Sequence, residues 1–573
     1  MNRWLAVVAS AGLVLGVVAQ AAQAQAEDLL YLSYSVPNSL NVDGPGGTFP
    51  PSYAGMVQLL EPLVFYEYGE TNDEGVRELH YDRFAGKLAE SWSYDEGTLT
   101  WTFNLRRGVK GCEGQDFTAD DVIYTFARAK SISGASPVGY FLANVGSVET
   151  FTPALFGARA AAAKAIEAGE PAPSPDPRDL GPEVTKVDDY TVTIKQDAPN
   201  KLFLPVLSIF ALFIYDKETM EANATADDPW SHNYANIVNA PGFGPYCLEE
   251  WEKDKSFILR ANEQYYGGKP HFDRVIVRKV PEAANRLAIL RSGQAQIVES
   301  LTPKQYQNLK SDSSIEVGGA YTNSTLTMTL NWTVPPFDNV KVRQAIAHAI
   351  PYQQIVDDVY FGDAKKAAGV IPSVYPGFHE ASVSYDYDPD KARQLLAEAG
   401  YPEGRGLEKF PAAFNLSYVS ERESIVGPAA IIIRTALREV GIPLDLDPMP
   451  LQQFSDRQLV KKDLPMGMND TSRPFGIDTA YAVLLHFVTV AKGGLNNWGN
   501  YSNDRVDELF LQAKVEGDEA RRNAQLAELQ EILMQEVAWV SVVEFKTQFA
   551  WTSGLKGVTL HPEAQLRFSD LSE

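Results

Sequence analysis

The sequence predicts an α/β protein of two or three domains, and three features carry that reading. The chain has 573 residues, more than one hydrophobic core usually supports. Period-two and helical apolar patterns interleave along it. The helical patterns open on identifiable caps, which fixes where strand gives way to helix.

Arg3 precedes an apolar run from Trp4 to Val18, and small residues then lead to Ala24-Gln25-Ala26, the form of a secretory signal cleaved before Glu27. No Cys lies near that site, so the expectation is an exported protein without a lipid anchor. Leu29 to Val36 reads as a strand. Met56 to Leu63 reads as a helix running into a strand.

In Gly86 to Ala129, Leu99, Trp101, Phe103 and Leu105 alternate with Thr100, Thr102 and Asn104, a strand with one buried face. Thr118 then caps a helix whose apolar stripe begins at Val122 and Ile123. Ala160 to Ala168 is helical in composition, whereas Pro171 to Pro177 carries too many prolines for either element and is a surface loop. Alternation returns at Tyr190, Val192 and Ile194. Leu202 to Tyr215 is apolar but contains Pro205 and is too short to cross a bilayer, so it reads as core.

Pro241-Gly242-Phe243-Gly244-Pro245-Tyr246 opens a hairpin; it lacks the third Gly and the Lys-Ser/Thr pair of a phosphate loop. Val275 to Val298 runs strand, helix, strand. Val342, Ile346 and Ala349 recur at helical spacing, and Arg343 among them reads either as a carboxylate ligand or as a surface charge. Asp388-Pro389 opens a helix that Gly400 ends.

A formal charge of −24 without any basic run excludes nucleic acid as a partner. The seven His residues show no metal-ligand spacing. Cys112 and Cys247 are the two cysteines; in an oxidising compartment they either close a disulfide or remain as two core thiols.

The order LAESW, aromatic strand, LRxGVK and FTADDV, followed by GFGPY, by PFDNVKVRQAI and by the DPDKARQLLAEAGY helix, resembles the bacterial family 5 extracytoplasmic solute-binding proteins. These are the peptide- and nickel-binding components of ABC importers. The resemblance implies a type II, cluster C-like periplasmic-binding-protein fold: two lobes, a hinge, and an extra subdomain in the first lobe. The division it implies is signal 1–26, first lobe 27–297 with the subdomain at about 55–190, second lobe 298–544, and a return to the first lobe over 545–573. Gln296 stands where the family usually has Asp, which leaves the boundary there open.

Peptide-binding relatives usually carry a Gly-Trp followed by an Asp that anchors a peptide ammonium. Here Gly467 is followed by Met468, and the nearest carboxylate is Asp470. Asp470 or Asp478 would pair an amine and Arg473 a carboxylate, a set that suits a zwitterion. Met56, Tyr321, Trp332 and Trp498 are the expected apolar lining, and Asn496, Asn497 and Asn500 would suit sugar hydroxyls.

The resemblance therefore implies a periplasmic, monomeric binding protein that needs no cofactor, captures a peptide or similar small solute and delivers it to the permease subunits. An oligosaccharide, an opine or a nickel complex is the alternative cargo within the family. An exported hydrolase or peptidase is the alternative of another class, although no G-x-S-x-G or H-E-x-x-H motif is present. An extracytoplasmic chaperone, which would share this fold's peptide affinity, is a third reading.

Overall fold

The computed structural model describes residues 28–43, 49–131, 142, 147, 180–209, 212–470, 477–494, 496–562 and 566–573. The signal stretch, the Ala- and Pro-rich segment before 180, and Arg473 lie outside them.

Seventeen strands are named in chain order. They are β1 Asp28–Ser33, β2 Val64–Thr71, β3 Arg77–Gly86, β4 Ala89–Asp95, β5 Thr100–Leu105, β6 Val184–Asp188, β7 Thr191–Lys195, β8 Tyr246–Glu252 and β9 Ser256–Ala261. There follow β10 Arg274–Lys279, β11 Ile297–Glu299, β12 Ile315–Leu330, β13 Ala364–Lys366, β14 Asn415–Val419, β15 Asp445–Met449, β16 Met466–Asn469 and β17 Val540–Thr552. One 11-stranded sheet runs β15-β14-β16-β12-β17-β11-β1-β10-β9-β8, with β13 joined to β17; β4-β5-β7-β6 form a second sheet and β2-β3 a hairpin.

The long strands β12 and β17 tie the two halves of the large sheet together. Toward one end, β17 pairs with β11 through Ile297 to Glu299; toward the other, β12 pairs with β16 through Thr327 to Leu330. The β12–β17 register breaks between them, so that Thr322, Asn323 and Ser324 stand opposite Phe545 alone. Such a bulge bends the ladder locally.

Local chemistry explains the elements. The helix Ala119–Ser131 begins where Thr118 Oγ1 accepts from Asp120 N and Asp121 accepts from Thr118 N at 2.7 Å. The helix Pro389–Glu398 is capped by the Asp388 side chain, which accepts from Lys391 N. Gly244 donates to Leu59 O at 2.9 Å, and a Cβ there would fall 2.5 Å from Gln58 O, so only glycine permits this hairpin to sit against the helix Pro50–Leu59.

Three expectations change on inspection. Leu99 lies in the turn before β5 rather than in the strand, with φ at 56°. Gln296, just before β11, joins the interior of the large sheet through its side chain, accepting from Leu30 N at 2.8 Å. Arg343 is neither a surface charge nor a ligand: it is 2% exposed, donates to the carbonyls of Phe337 and Glu536, and lies 3.4 Å from the Trp332 ring centroid.

Cys112 and Cys247 are bonded, with Cα atoms 5.8 Å apart, joining the turn after Val109 to β8 across 135 residues of chain. Among the described residues no helix is long and apolar enough to cross a membrane, and no group of His, Cys, Asp or Glu is placed to hold a metal ion.

Candidate ligand-binding site

Among the described residues, two of the cavities border the middle of β12 and β17. The smaller, about 180 Å³, is walled by Tyr34 and Ser35 just after β1, Pro50 and Tyr53 of the helix Pro50–Leu59, and Lys546 and Gln548 of β17. Across from them stand Arg422 and Asp470. Asp470 follows directly on β16, and Arg422 is the N-cap position of the helix Glu423–Glu439, so a strand end and a helix start aim opposite charges at one space.

Arg422 Nε donates to both Asp470 oxygens, at 2.9 and 3.0 Å, and Nη2 donates to Oδ2. The Asp470 side chain is 3% exposed and that of Arg422 24%. Burial disfavours the guanidinium charge, but the neighbouring carboxylate more than offsets this and holds the Arg422 pKa above its ordinary value. Tyr360 lines the same cavity, stacks on Phe545 at 5.3 Å, and keeps a buried hydroxyl with no hydrogen-bond partner. That combination offers a cation, an anion and an unused donor or acceptor to a guest.

The larger cavity, about 1180 Å³, contains Tyr321 and Asp478 among its walls. Asp478 caps the helix Thr479–His486 by accepting from Ala480 N at 2.7 Å, and its two oxygens also accept from Arg522 Nη2 at 2.7 and 2.9 Å. Arg522 donates as well to Ala513 O. Tyr321 lies under Lys365, whose Nζ is 4.6 Å from the ring centroid.

The structure thus brings Asp470 to one cavity and Tyr321 with Asp478 to the other. Met56, Trp332 and Trp498 line neither of these two cavities: Met56 is fully buried in the core, Trp332 lies against Arg343 and Tyr501, and Trp498 packs on His486. Their apolar surface is satisfied by protein. The side chains of Asn497 and Asn500 are likewise engaged, with Val488 O and Tyr501 O and with Lys462 O and Asn331. Arg422 and Tyr360 escaped the sequence reading. Arg422 had one local signal, its place between a strand and an apolar helix.

Residues 83–489 match the model of the bacterial extracellular solute-binding proteins, family 5 middle region. The chain belongs to that family. Curated family 5 relatives include the dipeptide-binding protein of Escherichia coli K12, 26% identical over 98% of this chain and 97% of its own. Heme-binding protein A of Haemophilus influenzae is 27% identical over 85% of this chain and 82% of its own. Among solved structures, DppA of Helicobacter pylori, in complex with the peptide STSA, superposes with a TM-score of 0.75 at 22% identity, covering 95% of this chain and 97% of that one. MoaA of A. tumefaciens R10, in complex with mannopinic acid, gives a TM-score of 0.74 at 21% identity, covering 96% of this chain and 99% of that one. The family 5 fold is a two-lobed one with mixed α/β sheets.

Proposed function

We propose that this family 5 protein captures a peptide, or a comparable small zwitterion, in the periplasm and delivers it unchanged to the permease of an ABC importer. The observation that carries the reading is the Arg422–Asp470 pair. Its charged groups bond one another on one wall of a cavity whose opposite wall comes from β1 and the helix Pro50–Leu59. A ligand ammonium would take over Asp470 and a ligand carboxylate Arg422, while its body touches the other lobe. Contacts to both lobes favour the closed form, and no catalysis is required.

We place the crossover between lobes in β12 near Tyr321 to Thr325, rather than at 297/298. Leu301, Tyr306, Leu309 and Ile315 share a core cluster with Leu32 and Val298 of the first lobe, whereas Leu326 and Leu330 belong to the second. The return to the first lobe falls near 545. The mature chain would begin at Glu27 and act as a monomer free of a lipid anchor.

Calorimetry with the dipeptide Ala-Ala and its N-acetylated form tests the reading. Removing the ammonium should weaken binding about 30-fold or more, the scale of a lost buried charge pair. Equal affinities for the two forms, or conversion of either, would reject it.

A further inference from the structure

Phe568 belongs to the wall of the cavity at Arg422 and Asp470, beside Tyr31 of β1, with the two ring centroids 5.4 Å apart. It reaches that wall from the stretch of chain after β17, at the start of the short turn Phe568–Asp570.

A side chain of the cavity's own helix fixes this stretch. Pro50, Pro51, Tyr53 and Ala54 of the helix Pro50–Leu59 line the cavity, and Gln58 near its end is fully buried. Gln58 Oε1 accepts from Phe568 N at 3.0 Å, while Nε2 donates to Leu566 O at 2.7 Å and to Ala54 O at 3.1 Å. Only an amide supplies both the acceptor and the donors that these three contacts need, since a carboxylate only accepts and an ammonium only donates.

Arg567, between those two bonds, enters the core. Its Nη1 donates to Glu61 Oε1 at 3.0 Å, and its guanidinium carbon lies 5.0 and 5.5 Å from the Phe65 and Phe213 ring centroids. The Arg567 and Glu61 side chains are 2% and 0% exposed, yet Arg567 Nη2 and Glu61 Oε2 have no hydrogen-bond partner among the described residues. A buried ion pair with unused atoms is a poor source of stability, because desolvation offsets the attraction; what it supplies is one register for the stretch that carries it. Farther on, Lys556 and Ser572 exchange both backbone hydrogen bonds, at 2.7 and 3.1 Å. Three fastenings thus bracket one ring, and that ring stands at the cavity.

We propose that Phe568 is a ligand-contacting residue of the Arg422–Asp470 cavity, and that Gln58 and the Glu61–Arg567 pair are the positioning residues that set its ring. This rests on the peptide reading above. A peptide paired with Asp470 and Arg422 would rest its backbone against the ring, and the helix Pro50–Leu59 and Phe568 would act as one wall.

Calorimetry with Ala-Ala on the full mature chain tests this. Phe568→Leu keeps an apolar filler but removes the aromatic face; it should weaken binding about fivefold or more while the melting temperature falls by only a few degrees. Gln58→Met keeps the volume and removes both bonds to the stretch. It should weaken binding about fivefold or more in the native background but less than about twofold once Phe568 is already Leu, the non-additivity of a residue that acts through another. Arg567→Lys, which keeps the buried charge, is the second probe of positioning and should show the same dependence on Phe568. Unchanged affinity in Phe568→Leu, or losses in Gln58→Met and Arg567→Lys that persist in full beside Phe568→Leu, overturn the inference and leave the peptide reading standing. Failure of the native chain to bind Ala-Ala overturns the two together.

Discussion

Two aspartate–arginine pairs face the two cavities, and their surroundings give them different work. Asp478 also caps a helix and Arg522 also holds the Ala513 carbonyl, so backbone groups depend on that pair. Among the described residues, the charged groups of Asp470 and Arg422 are hydrogen-bonded only to each other. On the function proposed above, a guest would replace either partner of the Asp470–Arg422 pair without stranding a backbone amide of the described residues. The chemistry is shared; what decides between scaffold and exchangeable contact is whether the main chain relies on the side chains.

The sharpest way to break this contrast is Asp478→Ala. It leaves Arg522, with a side chain only 9% exposed, uncompensated, and should cost about 3–5 kcal/mol of stability in denaturant unfolding. A loss below about 1 kcal/mol, the value of an exposed pair, would show that the two pairs do not differ. Asp470→Asn should invert the pattern. Ligand affinity falls by about 2–5 kcal/mol, whereas stability falls by no more than about 1 kcal/mol because Arg422 reaches solvent. Unchanged affinity would remove Asp470 from the site.

A smaller effect sets the pH at which such measurements are clean. Burial, with the nearby Arg128 charge adding to it, lowers the His232 pKa from 6.5 to about 3. The native state therefore binds fewer protons than the unfolded chain, so the stability it contributes is complete above about pH 6.5 and is lost as pH falls toward 3. Thermal melts from pH 8 to 5 should show this decline, and His232→Gln should flatten it. Affinities of the Asp470 and Asp478 variants are best compared above that range.

Much of the architecture was legible because its signals are local. Thr118 and Asp388 cap their helices from within three residues, and β5 and β7 alternate as strands with one buried face do. The misreadings arose where neighbours distant in sequence decide. Alternation continues through Leu99, but the turn claims that residue. Arg343 occupies a plausible surface position on its helix, yet carbonyls of Phe337 and Glu536 and the face of Trp332 enclose it. Asp470 could be found from its family context, whereas its partner Arg422 lies 48 residues earlier and nothing local marks the two as neighbours. The cysteines were open for the same reason until the fold brought their Cα atoms to 5.8 Å.

The mismatch of Thr322, Asn323 and Ser324 against Phe545 has a mechanical consequence. Where rungs are missing, one rail of the ladder holds surplus length, and swinging the lobes apart can draw on that slack before any paired rung must give way. An opening of the proposed lobes would then concentrate bending in these few residues, with the flanking stretches of both strands travelling as stiff levers.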